Sequence, residues 1–251
     1  LMAAATKFID IADEGDLEAA RLIQADKIDV LIDLKGHTSG SRLQLFSYRP
    51  APVQATFLGH PGTTGASYID YFIGDANVTP EGHQAHYSET LAHMPHCYQP
   101  NDRQRPLPKS MTRAEAGLPE SGLVYCGFNQ PYKISSEVFD VWCDLLHQQP
   151  ESVLWLLDWF DGTVNKFRVH AVKRGIAPER LISAPKLRLD QHITRFALAD
   201  VFLDTWPCNG HTTASDALWA GVPVVTLSGE TFASRVAASL LTAVDLPELI
   251  T

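Results

Sequence analysis

The 251-residue chain is short of positive charge. Lys and Arg number 20 against 29 Asp and Glu, a formal net charge of −9. That balance argues against a broad surface for nucleic acid or for an anionic membrane, while leaving room for one local basic pocket. Cysteine is sparse too. Cys97, Cys126, Cys143 and Cys208 show no Cys-x-x-Cys spacing, which predicts free thiols in a reducing compartment rather than a disulfide framework. No apolar run reaches the roughly 18 residues needed to cross a bilayer. No signal-peptide pattern is evident at the given start, which need not be the native one, and a cytoplasmic location is expected. A G-x-S-x-G nucleophile elbow and a G-x-G-x-x-G dinucleotide fingerprint are both missing, which leaves nucleophilic catalysis without support. There is no Asp-x-Asp pair of the kind that holds a divalent ion against a diphosphate. His83 and His86, and His93 and His96 beside Cys97, resemble zinc-ligand pairs. On a strand, however, a spacing of three turns side chains to opposite faces, and no metal is expected.

What remains is an ordinary globular composition, with 45% hydrophobic residues, long enough for one large α/β domain or two smaller ones. Asp16–Ala25 reads as a surface helix, with Leu17, Ala20 and Ile23 near one stripe. Residues 28–34, 53–58, 71–75 and 90–94 read as strands, with a short helix over 42–48 that is broken by Arg49-Pro-Ala-Pro52. The 99–112 stretch is polar, charged and proline-bearing, and is the best linker candidate. Beyond it the pattern alternates: strands at 123–128, 153–157, 181–184, 201–205 and 224–227, with helices at 136–147, 165–173, 191–198, 211–220 and near 231–243. Such alternation predicts a parallel sheet covered on both faces, whose ligands collect at the carboxyl ends of the strands. The domains are expected at 1–107 and 108–251, with the first lobe incomplete and the second truncated at its end.

The richest stretch is Cys208-Asn-Gly-His-Thr-Thr213 followed by Ala214 to Gly221. It lies between two strand patterns and therefore reads as a loop opening a helix. Free backbone N–H groups and the positive end of the helix dipole meet there, which suits an anion. Two other strand ends carry polar clusters, Phe128-Asn-Gln-Pro-Tyr-Lys133 and Leu187 to His192. A lysine, a His-Thr-Thr helix start and the downstream Asp216 together suit a diphosphate joined to a ribose. The lysine balances charge, the turn binds oxygens, and the carboxylate accepts from sugar hydroxyls. Each feature has a plainer alternative: threonines that only cap a helix, a solvated Lys133, a partly exposed His192, a surface Asp216.

With these residues in view, the chain resembles the catalytic region of the O-GlcNAc transferases, the family 41 glycosyltransferases, including their bacterial members. The matching stretches are Arg49-Pro-Ala-Pro-Val-Gln54, Leu58-Gly-His-Pro-Gly-Thr-Thr-Gly65, Phe128-Asn-Gln-Pro-Tyr-Lys-Ile134, Ser152-Val-Leu-Trp-Leu-Leu157, Cys208 to Thr213, and Gly229 to Ala238. They run in family order over roughly residues 28–250. The resemblance implies a GT-B type α/β fold of two Rossmann-like lobes and an inverting, metal-independent enzyme that moves GlcNAc from UDP-GlcNAc to Ser or Thr hydroxyls of proteins. It implies catalytic roles for Lys133 and His211, with Lys133 stabilising the leaving UDP. Gln130 would contact the diphosphate, and Thr212 and Thr213 would bind the phosphates. The backbone near Leu187 and the ring of His192 would hold the uracil, and Asp216 the ribose. Gly59 and Pro61 would line the sugar and acceptor side. The partners implied are a UDP-sugar and acceptor proteins, with neither nucleic acid nor membrane.

Three features depart from the family pattern. An early His-Pro-Thr motif is absent. Leu189 stands where a lysine is common, and no helical repeats are present. Alternatives are a UDP-glucose-dependent protein N-glycosyltransferase, a UDP-sugar epimerase, or an inactive nucleotide-binding fragment. Plant-type relatives that use GDP-fucose match less well, because they lack Asn-Gly-His before Thr-Thr.

Overall fold

The computed structural model describes residues 5–251. Its contacts divide the chain into two compact units, Leu1–Gln99 and Pro100–Thr251. The division falls earlier than the 107/108 boundary expected from the sequence. The reason is local: Trp219 Nε1 donates to the Pro106 carbonyl at 2.8 Å, and Lys109 N donates to Thr194 Oγ1 at 3.2 Å. These bonds tie the polar stretch to the second unit.

In unit 1, β1 (Val30–Asp33), β2 (Val53–Phe57), β3 (Tyr71–Gly74) and β4 (Thr90–His93) form a parallel sheet in the order β1-β2-β3-β4. Helix α1 (Asp16–Ala25) and the single turn α2 (Leu43–Phe46) pack on it. Their apolar faces meet in a cluster of Ala19, Ala20, Leu45, Phe46 and Ile69. Gln54, in the middle of β2, is wholly buried. Its amide donates to the carbonyls of Phe46 and Tyr68 at 2.9 and 2.7 Å, so the buried amide is satisfied through backbone.

Unit 2 holds β5 (Val124–Gly127), β6 (Val153–Leu157), β7 (Leu181–Ala184), β8 (Val201–Leu203) and β9 (Val224–Val225) in the order β7-β6-β5-β8-β9, all parallel. Every residue of β5 and β6 is buried, as expected for strands covered on both faces. One covering helix shows how its sequence specifies it. In α3 (Ser136–Gln148) the side chain of Ser135 accepts from the Val138 N–H, and Phe139, Trp142, Cys143 and Leu146 recur at helical spacing and are buried. The Trp142 ring leaves no room on β5, since a Cβ at Gly127 would lie 2.9 Å from it. The other helices are α4 (Thr163–Lys173), α5 (Leu189–Phe196), α6 (Thr212–Trp219) and α7 (Val236–Ala243).

Several boundaries differ from expectation. Helix α5 starts at Leu189 and ends at Phe196, two residues earlier at both ends than 191–198. Strand β9 covers only 224–225 of the expected 224–227, because Thr226 bridges Ile250 instead. The helix expected near 231–243 is a 3-10 turn, Phe232–Ser234, followed by α7. The four cysteines are free thiols. Among the described residues, no group of three His, Cys, Asp or Glu side chains gathers as a metal site.

Candidate functional site

The strand order of unit 2 reverses direction at β5, whose neighbours are β6 on one side and β8 on the other. Such a switch point opens a crevice outside the carboxyl ends of the strands. The loops that follow β5, β7 and β8 carry the three polar clusters found in the sequence.

A cavity of about 330 Å³ lies along this edge. Phe128 enters it from the β5 end, Leu157 and Trp159 from β6, and Lys186 and Leu187 from β7. His192 and Arg195 come from α5, and Thr212, Thr213 and Asp216 from α6. Five of the expected residues are thereby brought together: Leu187, His192, Thr212, Thr213 and Asp216. Lys133, Gln130 and His211 do not line this cavity. Gln130 is half-buried and opens the 3-10 turn Pro131–Lys133. Gly59 and Pro61 belong to unit 1, in the loop after β2. There a Cβ at Gly59 would meet the Leu34 carbonyl at 2.3 Å, so the close approach of two loops requires glycine.

The turn before α6 is held by a polar frame. Asp204, at the end of β8, accepts from Gly210 N at 2.6 Å, Thr205 N at 2.8 Å, Thr226 Oγ1 at 2.7 Å and Asn129 Nδ2 at 3.2 Å. Desolvation pushes its carboxyl up to about 6 against these hydrogen bonds. A Cβ at Gly210 would stand 2.9 Å from Asn129 Oδ1 and 3.1 Å from Asp204 Oδ1, so this frame closes only around glycine. Lys133 Nζ donates to the Asn209 carbonyl at 2.6 Å, which brings the β5 loop to the turn. Helix α6 has no side-chain cap, so its first N–H groups remain free for a ligand. The His211 ring, its N-cap residue, is held neutral. Burial first and the Lys133 charge second push its pKa down to about 4, while the Ala233 backbone bond works the other way. Its Nε2 is buried without a partner among the described residues.

At the other end of the cavity Arg195 is 2% exposed, and its guanidinium meets no carboxylate among the described residues. It lies 4.8 Å from the Phe128 ring centre and donates to the Pro185 carbonyl. It also donates to His192 Nδ1, from Nε at 3.1 Å and from Nη2 at 2.7 Å. Arginine only donates, so His192 Nδ1 is the acceptor and the ring carries its proton on Nε2. Burial, and then the Arg195 charge, push His192 down to about 4. Burial likewise lowers Arg195 to about 10. The cavity end is thus a neutral, hydrogen-bond-donating ring beside Phe128, and Lys186 lies 4.9 Å from the Trp159 ring centre. Sequence reasoning missed Arg195, Asp204 and Trp159, and gave Asn129 a place in a polar cluster but no role. For Arg195 a signal existed, since it follows His192 by three residues on one helix and can reach it.

A second cavity, of about 370 Å³ between α3 and β8–β9, is lined mostly by apolar side chains such as Val138, Val141, Trp142 and Leu145. Its polar lining is Glu137, Asp204, Thr205, Thr226 and Thr251, and it holds no Lys, Arg or His.

The description "Glycosyl transferase family 41" matches residues 1–114 and 107–251. The chain is 43% identical over 248 residues to the probable UDP-N-acetylglucosamine–peptide N-acetylglucosaminyltransferase SEC of Arabidopsis thaliana, covering 96% of this chain and 25% of that protein. It is 34% identical to the tomato (Solanum lycopersicum) SPINDLY protein, described by the same activity, over 96% of this chain and 26% of that one. A Thermobaculum terrenum O-GlcNAc transferase mutant superposes with a TM-score of 0.90 at 33% identity, over all of this chain and 48% of that one. The chain therefore spans about a quarter of the length of these curated relatives. Its fold is the α/β arrangement of the GT-B glycosyltransferases, and the chain belongs to glycosyltransferase family 41.

Proposed function

We propose that this chain is the sugar-nucleotide-binding part of an inverting glycosyltransferase that moves GlcNAc from UDP-GlcNAc to Ser or Thr hydroxyls of proteins. The observation that carries the reading is the cavity at the switch point of unit 2, which joins an uncapped helix start bearing Thr212 and Thr213 to a neutral His192 ring and the Asp216 carboxylate. An anion, a ribose and a planar base have places there at one sheet edge.

In this reading the base lies against His192 near Leu187, and the phosphates meet Thr212, Thr213 and the α6 N–H groups. The anomeric carbon is attacked in one displacement by the acceptor hydroxyl, whose oxygen forms the new glycosidic bond and gives up its proton to solvent as the bond to the UDP oxygen breaks. Negative charge then grows on UDP. Lys133, with Gln130 beside it on the same loop, and the α6 dipole neutralise that charge. His211 is neutral at pH 7 and serves as a hydrogen-bonding group rather than a cation. No metal is needed for this neutralisation. The acceptor side is assigned to the unit 1 loop that carries Gly59 and Pro61.

The test is calorimetric titration with UDP, GDP and UMP. UDP should bind more tightly than either, since GDP changes the base and UMP lacks the second phosphate. A folded protein that binds none of the three overturns the reading.

A further inference from the structure

The cavity carboxylate does not stand alone. The segment Asn101–Pro106 lies across α6 and is fastened to it at several points. Ser215 Oγ donates to Asn101 Oδ1 at 2.5 Å. The Arg105 guanidinium lies 5.5 Å from the Trp219 ring centre, and Trp219 Nε1 donates to the Pro106 carbonyl at 2.8 Å. From this strap Arg105 Nη1 reaches Asn101 Oδ1 at 3.1 Å and Ser215 Oγ at 3.2 Å, and Nη2 donates to Asp216 Oδ1. The Arg105 and Asp216 side chains are 12% and 8% exposed, so water screens this pair little.

Only Oδ1 of Asp216 is engaged among the described residues; Oδ2 takes no protein donor. We propose that Arg105 is a positioning residue of the ribose subsite: it clamps one oxygen of the Asp216 carboxylate and so presents the other to the vicinal hydroxyls of a bound nucleoside diphosphate. The assignment rests on the nucleotide reading above.

Two physical arguments support it. A carboxylate with a free torsion accepts from two adjacent hydroxyls only after it has been oriented, and the bond from Arg105 supplies that orientation before the ligand arrives. Desolvation also pushes the Asp216 carboxyl up, and the Arg105 charge and hydrogen bond oppose it. Without the guanidinium the group takes up a proton more readily. A protonated carboxyl accepts hydroxyl hydrogens poorly. The clamp therefore keeps the acceptor charged in a site that disfavours charge.

The role has a readout that simple loss of structure does not reproduce: discrimination between ribose and deoxyribose. The dissociation constants of UDP, 2′-deoxy-UDP and 3′-deoxy-UDP are measured for the wild type, Arg105→Gln, Arg105→Lys and Asp216→Asn, each first confirmed as folded by circular dichroism. The wild type should prefer UDP over at least one deoxy analogue by roughly tenfold or more, the scale of a hydrogen bond to a charged group. Arg105→Gln and Asp216→Asn should shrink that preference to about threefold or less, while Arg105→Lys retains most of it. In Arg105→Gln the residual preference should fade on acidification at a higher pH than in the wild type. Equal discrimination in the Gln and Lys variants, or a Gln variant that keeps the wild-type ratio, overturns the clamp while leaving the nucleotide site intact. A wild type that binds UDP without any ribose preference also overturns it. A folded wild type that binds no UDP overturns the nucleotide reading itself, and the clamp with it.

Discussion

Unit 1 lays β1 to β4 side by side in chain order, whereas unit 2 begins in the middle of its sheet with β5 and adds strands first on one side and then on the other. Both sheets are parallel and built from short strands. Yet only the second order makes a crevice, since crossovers of one hand leave opposite faces only where the direction of winding reverses. The burial patterns agree. In unit 1, Val30 and Ile32 of β1 are 51% and 45% exposed, whereas β5 and β6 of unit 2 are wholly covered. The chemistry follows the topology. Unit 2 collects two imidazoles pushed down to about 4, a carboxyl pushed up to about 6 and a nearly buried guanidinium along one edge, whereas the one lowered imidazole described in unit 1, His60, carries a smaller shift. Unit 1 uses its polar groups to hold loops. Glu89, for example, accepts from Thr63 Oγ1 and from Thr64 N, both at 2.7 Å.

That contrast can be broken at several points. The largest effect is expected from Lys133→Ala in a catalytically competent, full-length protein. Transfer should fall by about 10²–10³-fold while sugar-nucleotide affinity falls by less than about tenfold, because leaving-group charge appears mainly in the transition state. Steady-state kinetics beside calorimetry checks this, and equal losses in both would sink the role of Lys133. Next comes Asp204→Ala. Four donors lose their acceptor, and unit 2 should be destabilised by about 3 kcal/mol. Hydrogen exchange should show the loss in unit 2 and leave β1 to β4 protected as before.

Acidification should also weaken unit 2. His192 and His211 sit near 4 in the folded state against an ordinary 6.5. As pH falls from 6.5 towards 4 the unfolded chain gains protons that the folded one refuses, so unit 2 loses stability on the order of 2 kcal/mol per ring. Asp204, raised from 3.8 to about 6, acts in the opposite sense over about pH 6 to 4 and offsets part of the loss. A melting temperature for unit 2 that fails to drop across this window would contradict neutral, buried rings, and His192→Gln should flatten the slope. The smallest effect is expected in unit 1. Glu89→Ala should cost about 1–2 kcal/mol through the loop at Thr63 and Thr64, with UDP affinity unchanged. A drop in UDP affinity would mean that the two units are not separable in this way.

The elements were legible where one period dominates. The β6 run Val-Leu-Trp-Leu-Leu and the α3 spacing of Phe139, Trp142, Cys143 and Leu146 announce a covered strand and an amphipathic helix, and the structure has both. Ends were less legible. Leu189 opens α5 after an extended Arg188, a step that no strong cap residue announces. Thr226 leaves β9 to pair with Ile250, a partner 24 positions downstream that periodicity does not reveal. The same holds at the site. The His-Thr-Thr helix start could be read from its neighbours in the chain. Arg105 could not, because it lies in a stretch that reads as solvated linker, and its partner Asp216 is 111 positions away. Sequence patterns report local periodicity, whereas a clamp of this kind exists only once the fold has closed.

Trp159 and its relatives make this molecule self-reporting. All five tryptophans, Trp142, Trp155, Trp159, Trp206 and Trp219, lie in the second unit. Its ultraviolet emission is therefore a one-sided signal. Light excited at the red edge of the spectrum tracks unit 2 alone, and unit 1 stays dark apart from its tyrosines. Trp159 stands in the cavity wall under an ammonium group, and Trp219 lies under the Arg105 clamp. A nucleotide that displaces water from the first or shifts the second should change colour or brightness without any label, so occupancy of the site can be followed in real time with a fluorimeter.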